Sequence, residues 1–122
     1  MLPNKVKIGG INYDVQEVRG LEAEFSHLGQ ILYTRGVIKV DEELSADRKE
    51  QVFVHELLHG VFYEAGIEEQ DEDMINRVSI ILHQVLKDNN LCFGDPLKKL
   101  RVSRLCNMPI HPNTLEDKEE TV

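Results

Sequence analysis

The chain has 122 residues, of which 41% are hydrophobic and 30% are charged, a composition typical of one soluble globular domain. Its formal net charge of −8 argues against a surface whose main role is to bind nucleic-acid phosphates. No stretch approaches about 18 consecutive apolar residues, and the first residues lack the apolar core of a secretory signal. We therefore expect a cytoplasmic protein without a membrane span. The two cysteines, Cys92 and Cys106, predict neither a disulfide framework nor a second metal site.

A first β-hairpin is predicted near the N-terminus. Residues 6–8 and 11–18 form two short apolar runs on either side of Gly9 and Gly10, which favour a turn. Apolar and polar residues alternate in the second run, as expected for a strand with one buried face. Residues 20–28 are compatible with a short helix or a loop, and His27 within them receives no role.

A second hairpin is predicted from residues 30–34 and 37–40. Both runs are rich in residues that favour strands, and Arg35-Gly36 between them has the length of a two-residue turn. Glycine suits such a turn because it adopts positive φ without steric cost.

The first long helix is predicted to begin near Ser45 or Asp47 and to end at Ala65. Ser and Asp are good N-cap residues, and Gly66 is well placed just after the end. Apolar residues occupy much of the circumference of this helix, which predicts that other elements cover it on several sides. The predicted apolar stripe comprises Val54, Leu58, Val61 and Ala65, widened by Phe53, Leu57 and Phe62.

A second amphipathic helix is predicted over residues 74–88, after an acidic run at 68–73. Acidic residues near its start and Lys87 near its end agree with the helix macrodipole. The apolar positions recur with helical spacing at 74, 78, 81, 82, 85 and 86, which predicts that this stripe faces the core.

The first helix contains the motif His-Glu-x-x-His at residues 55–59. His55 and His59 lie four residues apart on one helical face, so both imidazoles can bind a single ion. Glu56 projects about 100° away from His55, where it can reach a metal-bound water without being a ligand. This pattern is typical of a Zn²⁺ hydrolase site. A packing or surface role for the two histidines is the competing interpretation, which the surrounding helical pattern disfavours.

A catalytic zinc site needs a third protein ligand, and the second helix offers three candidates. Glu72 ranks first and Asp73 second, because both lie where the second helix folds back against the first. His83 shares the Glu72 face but lies about 16 Å further along by helical rise. Asn76 is a candidate to orient the Glu72 carboxylate. A symmetric hairpin of helices would place His59 level with residue 77, which conflicts with Glu72 unless the helices cross steeply or the second helix begins early.

The motif at residues 55–59, together with Glu72-Asp73-Met74-Ile75-Asn76-Arg77-Val78-Ser79, resembles the ImmA/IrrE-type metallo-endopeptidases. The likeness is greatest to the small zincin-like proteins of phages and prophages. The second segment is similar to that family's pattern Glu-x-x-Ala-Asn-Arg-Phe-Ala, although Ile75 and Val78 replace its alanine and phenylalanine. With the preceding hairpin, the resemblance covers roughly residues 29–90.

The resemblance implies His55, His59 and Glu72 as zinc ligands and Glu56 as the general base. It also implies an α+β, minimal gluzincin-like fold, with a small, largely antiparallel sheet packed on two core helices. We expect one metallopeptidase domain over residues 1–110. The acidic residues 111–122 form a tail that we expect to be disordered.

Three functions are compatible with the sequence. The first is hydrolysis of a protein or peptide substrate, with a repressor or a host protein as candidates, in which the edge strand of the second hairpin holds an extended peptide. The second is a zinc-stabilised binding protein without efficient catalysis, and the third is a metal-free interaction module.

Candidate donors to the reaction's oxyanion are Tyr33, Tyr63, His83 and Arg35. The basic residues Lys98, Lys99, Arg101 and Arg104 remain a solvated patch or a contact for acidic residues.

Overall fold

A computed structural model describes residues 2–21, 28–91 and 93. These residues form an α+β domain, which confirms the predicted class. It comprises four strands and two helices: β1 Lys5–Ile8, β2 Ile11–Val18, β3 Gly29–Leu32, β4 Val37–Asp41, α1 Ala46–Glu64 and α2 Glu72–Asp88. Helix α1 lies on the sheet, and α2 lies against α1. In the part of the chain that the structure describes, no helix is long and apolar enough to cross a bilayer.

The sheet is mixed, with the strand order β1-β2-β4-β3. Both hairpins pair antiparallel, and β2 joins β4 by a parallel pairing in which Asp14 lies opposite Val37. Strand β4 is therefore central and fully buries Ile38 and Val40. Strand β3 is left at an edge of the sheet.

The first hairpin forms as predicted, with Gly9 and Gly10 at positive φ (59° and 87°). Tyr13 is fully buried, and its hydroxyl donates a 2.7 Å hydrogen bond to Oε2 of Glu64 near the end of α1. This bond ties β2 to the helix. Ile11 is 47% exposed, although the alternation placed it on the same face as Tyr13.

The second hairpin has a longer turn than the sequence predicted. Strand β3 ends at Leu32, so the turn comprises the four residues 33–36. It is closed by a 2.9 Å hydrogen bond from the backbone N–H of Gly36 to the Leu32 carbonyl. The physical reason is that Tyr33 leaves the sheet to stack on Tyr63 of α1.

Helix α1 begins after Ser45, whose hydroxyl accepts a hydrogen bond from the Arg48 backbone N–H, and Gly66 follows its end at φ 85°. These bounds confirm the predicted helix, with Ser45 rather than Asp47 as the cap. The helix buries Phe53, Val54, Leu58 and Gly60. Val61 is 42% exposed, so the prediction of an apolar stripe reaching it was wrong.

Helix α2 is capped by Asp71 and buries Ile75 and Ser79. Leu82 and Leu86 on the same face pack against the core. The predicted stripe is wrong at three of its six positions, because Met74, Val78 and Ile81 are exposed. The helix is rotated so that the face carrying Glu72, Ser79 and His83 meets α1.

Two glycines allow the sheet and α1 to approach closely. A Cβ at Gly29 would lie 2.5 Å from Cγ1 of Val52 and 3.2 Å from Oε2 of Glu56. A Cβ at Gly60 would lie 2.8 Å from Cδ1 of Ile8 and 3.1 Å from Cδ1 of Ile31. The main chain of β3 thus borders the Glu56 side chain directly.

Several predictions fall outside the described residues. They concern His27, Cys92, Cys106, the basic residues between 98 and 104, and the acidic tail at 111–122. The assignment of residues 1–110 to one domain also remains a prediction.

We expect Gly29→Ala to lower the free energy of unfolding by about 1–3 kcal/mol, because a new methyl group overpacks the contact with Val52. Valine is stiff in a helix and cannot turn away easily. Gly60→Ala is the matched variant. It meets only the ends of two isoleucine side chains and gains about 1 kcal/mol of helix propensity. Urea denaturation of both variants measures the free energy of unfolding. A loss in Gly60→Ala that equals or exceeds the loss in Gly29→Ala contradicts the prediction.

Candidate metal centre

The two histidines of the motif lie side by side on α1, as predicted. Their ring centroids are 4.9 Å apart, and the ring planes meet at 64°. Their side chains are only 18% and 14% exposed, so the helix holds both in a partly buried position. The i, i+4 spacing brings the two Nε2 atoms to one point beside the helix.

Glu72 meets both rings at that point. Its Oε2 lies 2.7 Å from Nε2 of His55, and its Oε1 lies 3.1 Å from Nε2 of His59. One donor atom from each of the three residues lies within 4.8 Å of the other two. Glu72 is the first residue of α2, and its side chain is 70% exposed. The group is therefore open to solvent on the carboxylate side.

The path of the link between the helices explains why Glu72 is level with the histidines. After Gly66 reverses the chain, the N–H of Ile67 bonds the Phe62 carbonyl at 2.9 Å, and residues 67–71 are not helical. Extended residues advance about 3.3 Å each, against about 1.5 Å in a helix. The link therefore descends beside α1 until Gln70 contacts His59. A symmetric hairpin, which would place residue 77 level with His59, therefore does not form, and the second helix begins early, at Glu72.

The alternative third ligands lie elsewhere. Asp73 faces Arg77 at 3.7 Å, and His83 contacts Oε1 of Glu50 at 3.1 Å. Hydrogen bonds from Lys87 and His83 hold the pKa of Glu50 below its ordinary value, although burial acts in the opposite direction. Asn76 lines the cavity described below, but among the described residues no hydrogen bond joins its side chain to Glu72.

Gln70 is a site residue that the sequence analysis missed. Nδ1 of His59 donates a short hydrogen bond to Oε1 of Gln70, while Nε2 of Gln70 donates to the His59 carbonyl at 3.4 Å. The second bond orients the amide, and the first places the proton of neutral His59 on Nδ1. The only signal in the sequence is an uncharged amide within an otherwise acidic link.

This tautomer leaves a lone pair on Nε2 of His59, facing the Glu72 carboxylate. A lone pair and a carboxylate oxygen repel each other at 3.1 Å unless a proton or a cation lies between them. Two imidazole nitrogens and a carboxylate are also a common ligand set for metal ions in proteins. The group of His55, His59 and Glu72 could therefore hold a metal ion.

Tyr33 is the predicted oxyanion donor whose pKa responds to the charges of Glu56 and Glu72. Its ring stacks on Tyr63 with centroids 4.1 Å apart. Burial raises the pKa of Tyr33, the Gln70 side chain lowers it, and the charges of Glu56 and Glu72 raise it further. The hydroxyl therefore stays protonated and able to donate at neutral pH. Tyr63 is 43% exposed, Arg35 lies in the hairpin turn, and His83 is bound to Glu50.

A cavity of about 440 Å³ opens beside two of the three residues, His55 and Glu72. Glu56 lines it together with His55 and Glu72, and Gly29 of β3 borders it. Burial raises the pKa of Glu56 to about 7; the neighbouring His59 opposes this rise, and Glu72 adds to it. A carboxyl group with a pKa near neutrality can both accept and release a proton.

Comparisons with known proteins return nothing similar to this chain: no family model, no curated protein and no solved structure matches it. The resemblance to the ImmA/IrrE-type peptidases therefore remains a prediction that depends on the two motifs. The candidate metal centre is inferred from the positions of its atoms.

We expect Glu72→Ala to abolish stoichiometric metal binding, because two imidazoles alone leave the ion without its carboxylate. Asp73→Ala is the matched control, since Asp73 is the next residue and faces Arg77 instead. Elemental analysis of untagged protein after equilibrium dialysis measures the bound metal. Full occupancy in Glu72→Ala, or an equal loss in both variants, contradicts the assignment.

We expect Gln70→Ala to weaken metal binding by about 10–100-fold, the range found when an outer partner of a metal-bound histidine is removed. The loss frees the His59 ring to rotate and to change tautomer. Glu69→Ala removes an adjacent exposed residue of the same link and should have little effect. Competition with a chromophoric chelator measures both affinities, and equal affinities in the two variants rule out the positioning role of Gln70.

Proposed function

We propose that the protein is a zinc-dependent metallopeptidase-like hydrolase in which His55, His59 and Glu72 hold Zn²⁺ and Glu56 is the general base. The observation that carries this proposal is the convergence of both Nε2 atoms on the Glu72 carboxylate. The convergence lies beside a cavity lined by a carboxyl group with a pKa near 7.

The donor set favours zinc over Ca²⁺ and Mg²⁺. Ca²⁺ and Mg²⁺ prefer oxygen ligands, whereas two imidazoles and one carboxylate match the protein ligands of a catalytic zinc site. When bound, zinc supplies Lewis acidity that polarises a carbonyl group and acidifies water. The exposed side of Glu72 leaves room for further ligands.

Glu56 is placed to move protons during hydrolysis. As the carboxylate it accepts a proton from the attacking water, and as the acid it donates that proton to the leaving amine. Burial supports both steps, because it brings the pKa of Glu56 to about 7. Gly29 keeps the space beside Glu56 open, since any side chain there would press on the carboxyl group.

Two further features support a peptide substrate. Strand β3 is an edge of the sheet and borders the cavity at Gly29, so an extended peptide can pair with it by strand addition. Tyr33 carries a protonated hydroxyl whose pKa responds to Glu56 and Glu72, and we assign it as the donor that stabilises an oxyanion. The motif resemblance adds a phage or prophage origin and a cytoplasmic repressor or host protein as the substrate.

A zinc-stabilised binding protein is the second candidate function. The outer face of α2 exposes Met74, Val78 and Ile81, with Ile81 at 61%. Exposed apolar side chains at helical spacing are typical of a face that meets another protein. In this alternative the zinc ion fastens α2 to α1 and Glu56 has no chemical role.

Glu56→Gln distinguishes the two functions, because it removes the proton acceptor and keeps the shape of the side chain. We expect a loss of about 10²–10⁴-fold in the rate of peptide hydrolysis, with zinc content and urea denaturation unchanged. Glu68→Gln, in the exposed link, is the control for the same chemical change elsewhere. Zinc-loaded protein and a mixture of random ten-residue peptides are used, and products are detected by mass spectrometry. Zinc-dependent cleavage that survives in Glu56→Gln, or no cleavage by the wild type, contradicts the hydrolase proposal.

A further inference from the structure

The cavity beside the candidate metal centre has a charged group at each end. One wall is formed by α1 and the other by α2, with Leu28 and Gly29 between them. At one end lie His55, Glu56 and Glu72, and seven residues earlier on α1 lies Arg48. Arg48 is the one lysine or arginine among the described residues that line the cavity.

Arg48 differs from the neighbouring cations because it has no carboxylate partner among the described residues. Lys49 contacts Oε1 of Glu17 at 2.7 Å, and Lys87 contacts Glu50 at 2.8 Å and Asp47 at 3.2 Å. Within residues 2–21 and 28–91, no acidic side chain forms an ion pair with Arg48. Its backbone N–H donates a hydrogen bond to the Ser45 hydroxyl. In a chain with 22 acidic residues and 14 lysines and arginines, a guanidinium that borders a cavity without a partner is available to an external anion.

The spacing along α1 relates this cation to the site of hydrolysis. Seven helical residues separate Arg48 from His55, a rise of about 10 Å. An extended peptide advances about 3.3 Å per residue, so about three of its residues cover that distance. Gln51 and Asn76 line the cavity between the two ends and can bond the peptide backbone.

We infer that Arg48 is a specificity-determining residue that selects peptides carrying a carboxylate about three residues from the bond that is cut. This inference rests on the proposed hydrolase function and adds its substrate class. The carboxylate belongs either to an Asp or Glu side chain or to the C-terminus of the peptide. Both present the same planar pair of oxygens, which a guanidinium binds through two parallel hydrogen bonds.

The test uses the zinc-loaded full chain and two libraries of random ten-residue peptides, one with a C-terminal amide and one with a free C-terminal acid. If the side chain is the source, the cleaved amides are enriched about tenfold in Asp or Glu at the third residue from the cut, the ratio expected of one charged hydrogen-bonded pair. If the C-terminus is the source, cleavage occurs only in the free acids, about three residues from their end.

Arg48→Glu is expected to abolish this preference and to favour Lys or Arg at the same position. Lys7→Glu makes the same change in charge on the exposed strand β1, outside the residues that line the cavity, and should keep the wild-type preference. A preference that is absent in the wild type, or unchanged in Arg48→Glu while cleavage continues, overturns the role of Arg48 and leaves the hydrolase proposal standing.

A binding measurement separates this inference from the proposal on which it rests. Immobilised, zinc-loaded Glu56→Gln selects peptides from the same libraries, and the bound peptides are sequenced, with the Glu56→Gln/Arg48→Glu double variant as the comparison. If the Glu56→Gln protein selects carboxylates and the double variant does not, the role of Arg48 is supported. This conclusion holds even if the wild type cleaves nothing, although the lack of cleavage overturns the hydrolase proposal. If the wild type cleaves nothing and the Glu56→Gln protein selects no carboxylates, both the hydrolase proposal and the role of Arg48 are overturned.

Discussion

The structure depends on one local constraint, the approach of the Glu72 carboxylate to two imidazole nitrogens on α1. Each contact requires a proton or a cation between the imidazole nitrogen and the carboxylate oxygen, so the group is compatible with a bound cation. The orientation of α2 accompanies this contact. The helix presents Glu72 to the histidines and buries Ile75, while Met74 and Val78 are exposed.

The sheet contributes the second wall of the site through two close approaches. Gly60 allows α1 to pack closely against Ile8 and Ile31, and Gly29 allows the edge strand to pack against Glu56. Removal of water from that carboxyl group raises its pKa, which suits a residue that must both take and release a proton. Among the described strands, this edge strand pairs on one side only, with β4, and it borders the cavity. The position of β3 therefore connects the chemistry of Glu56 with a means of holding a peptide.

The elements of the site were predictable to different degrees. The boundaries of α1 and the pairing of His55 with His59 follow from caps and helical spacing, which act within a few residues. Glu72 was ranked first among three candidates, and the structure brings it to the histidines while His83 bonds Glu50. The role of Gln70 was not predictable, because its contact with His59 depends on how a nonhelical link descends beside α1.

By itself, the sequence determined the α+β class, both hairpins, the two helices and the histidine pair. Each arises from interactions between residues close in the chain, whose geometry the backbone sets. Only the tertiary structure decided that β4 pairs parallel with β2, that the second hairpin turn has four residues, and that α2 faces inward with Ile75 and Ser79. These features are set by contacts between segments far apart in sequence. Many arrangements satisfy the same apolar pattern, and they differ in which polar groups find partners.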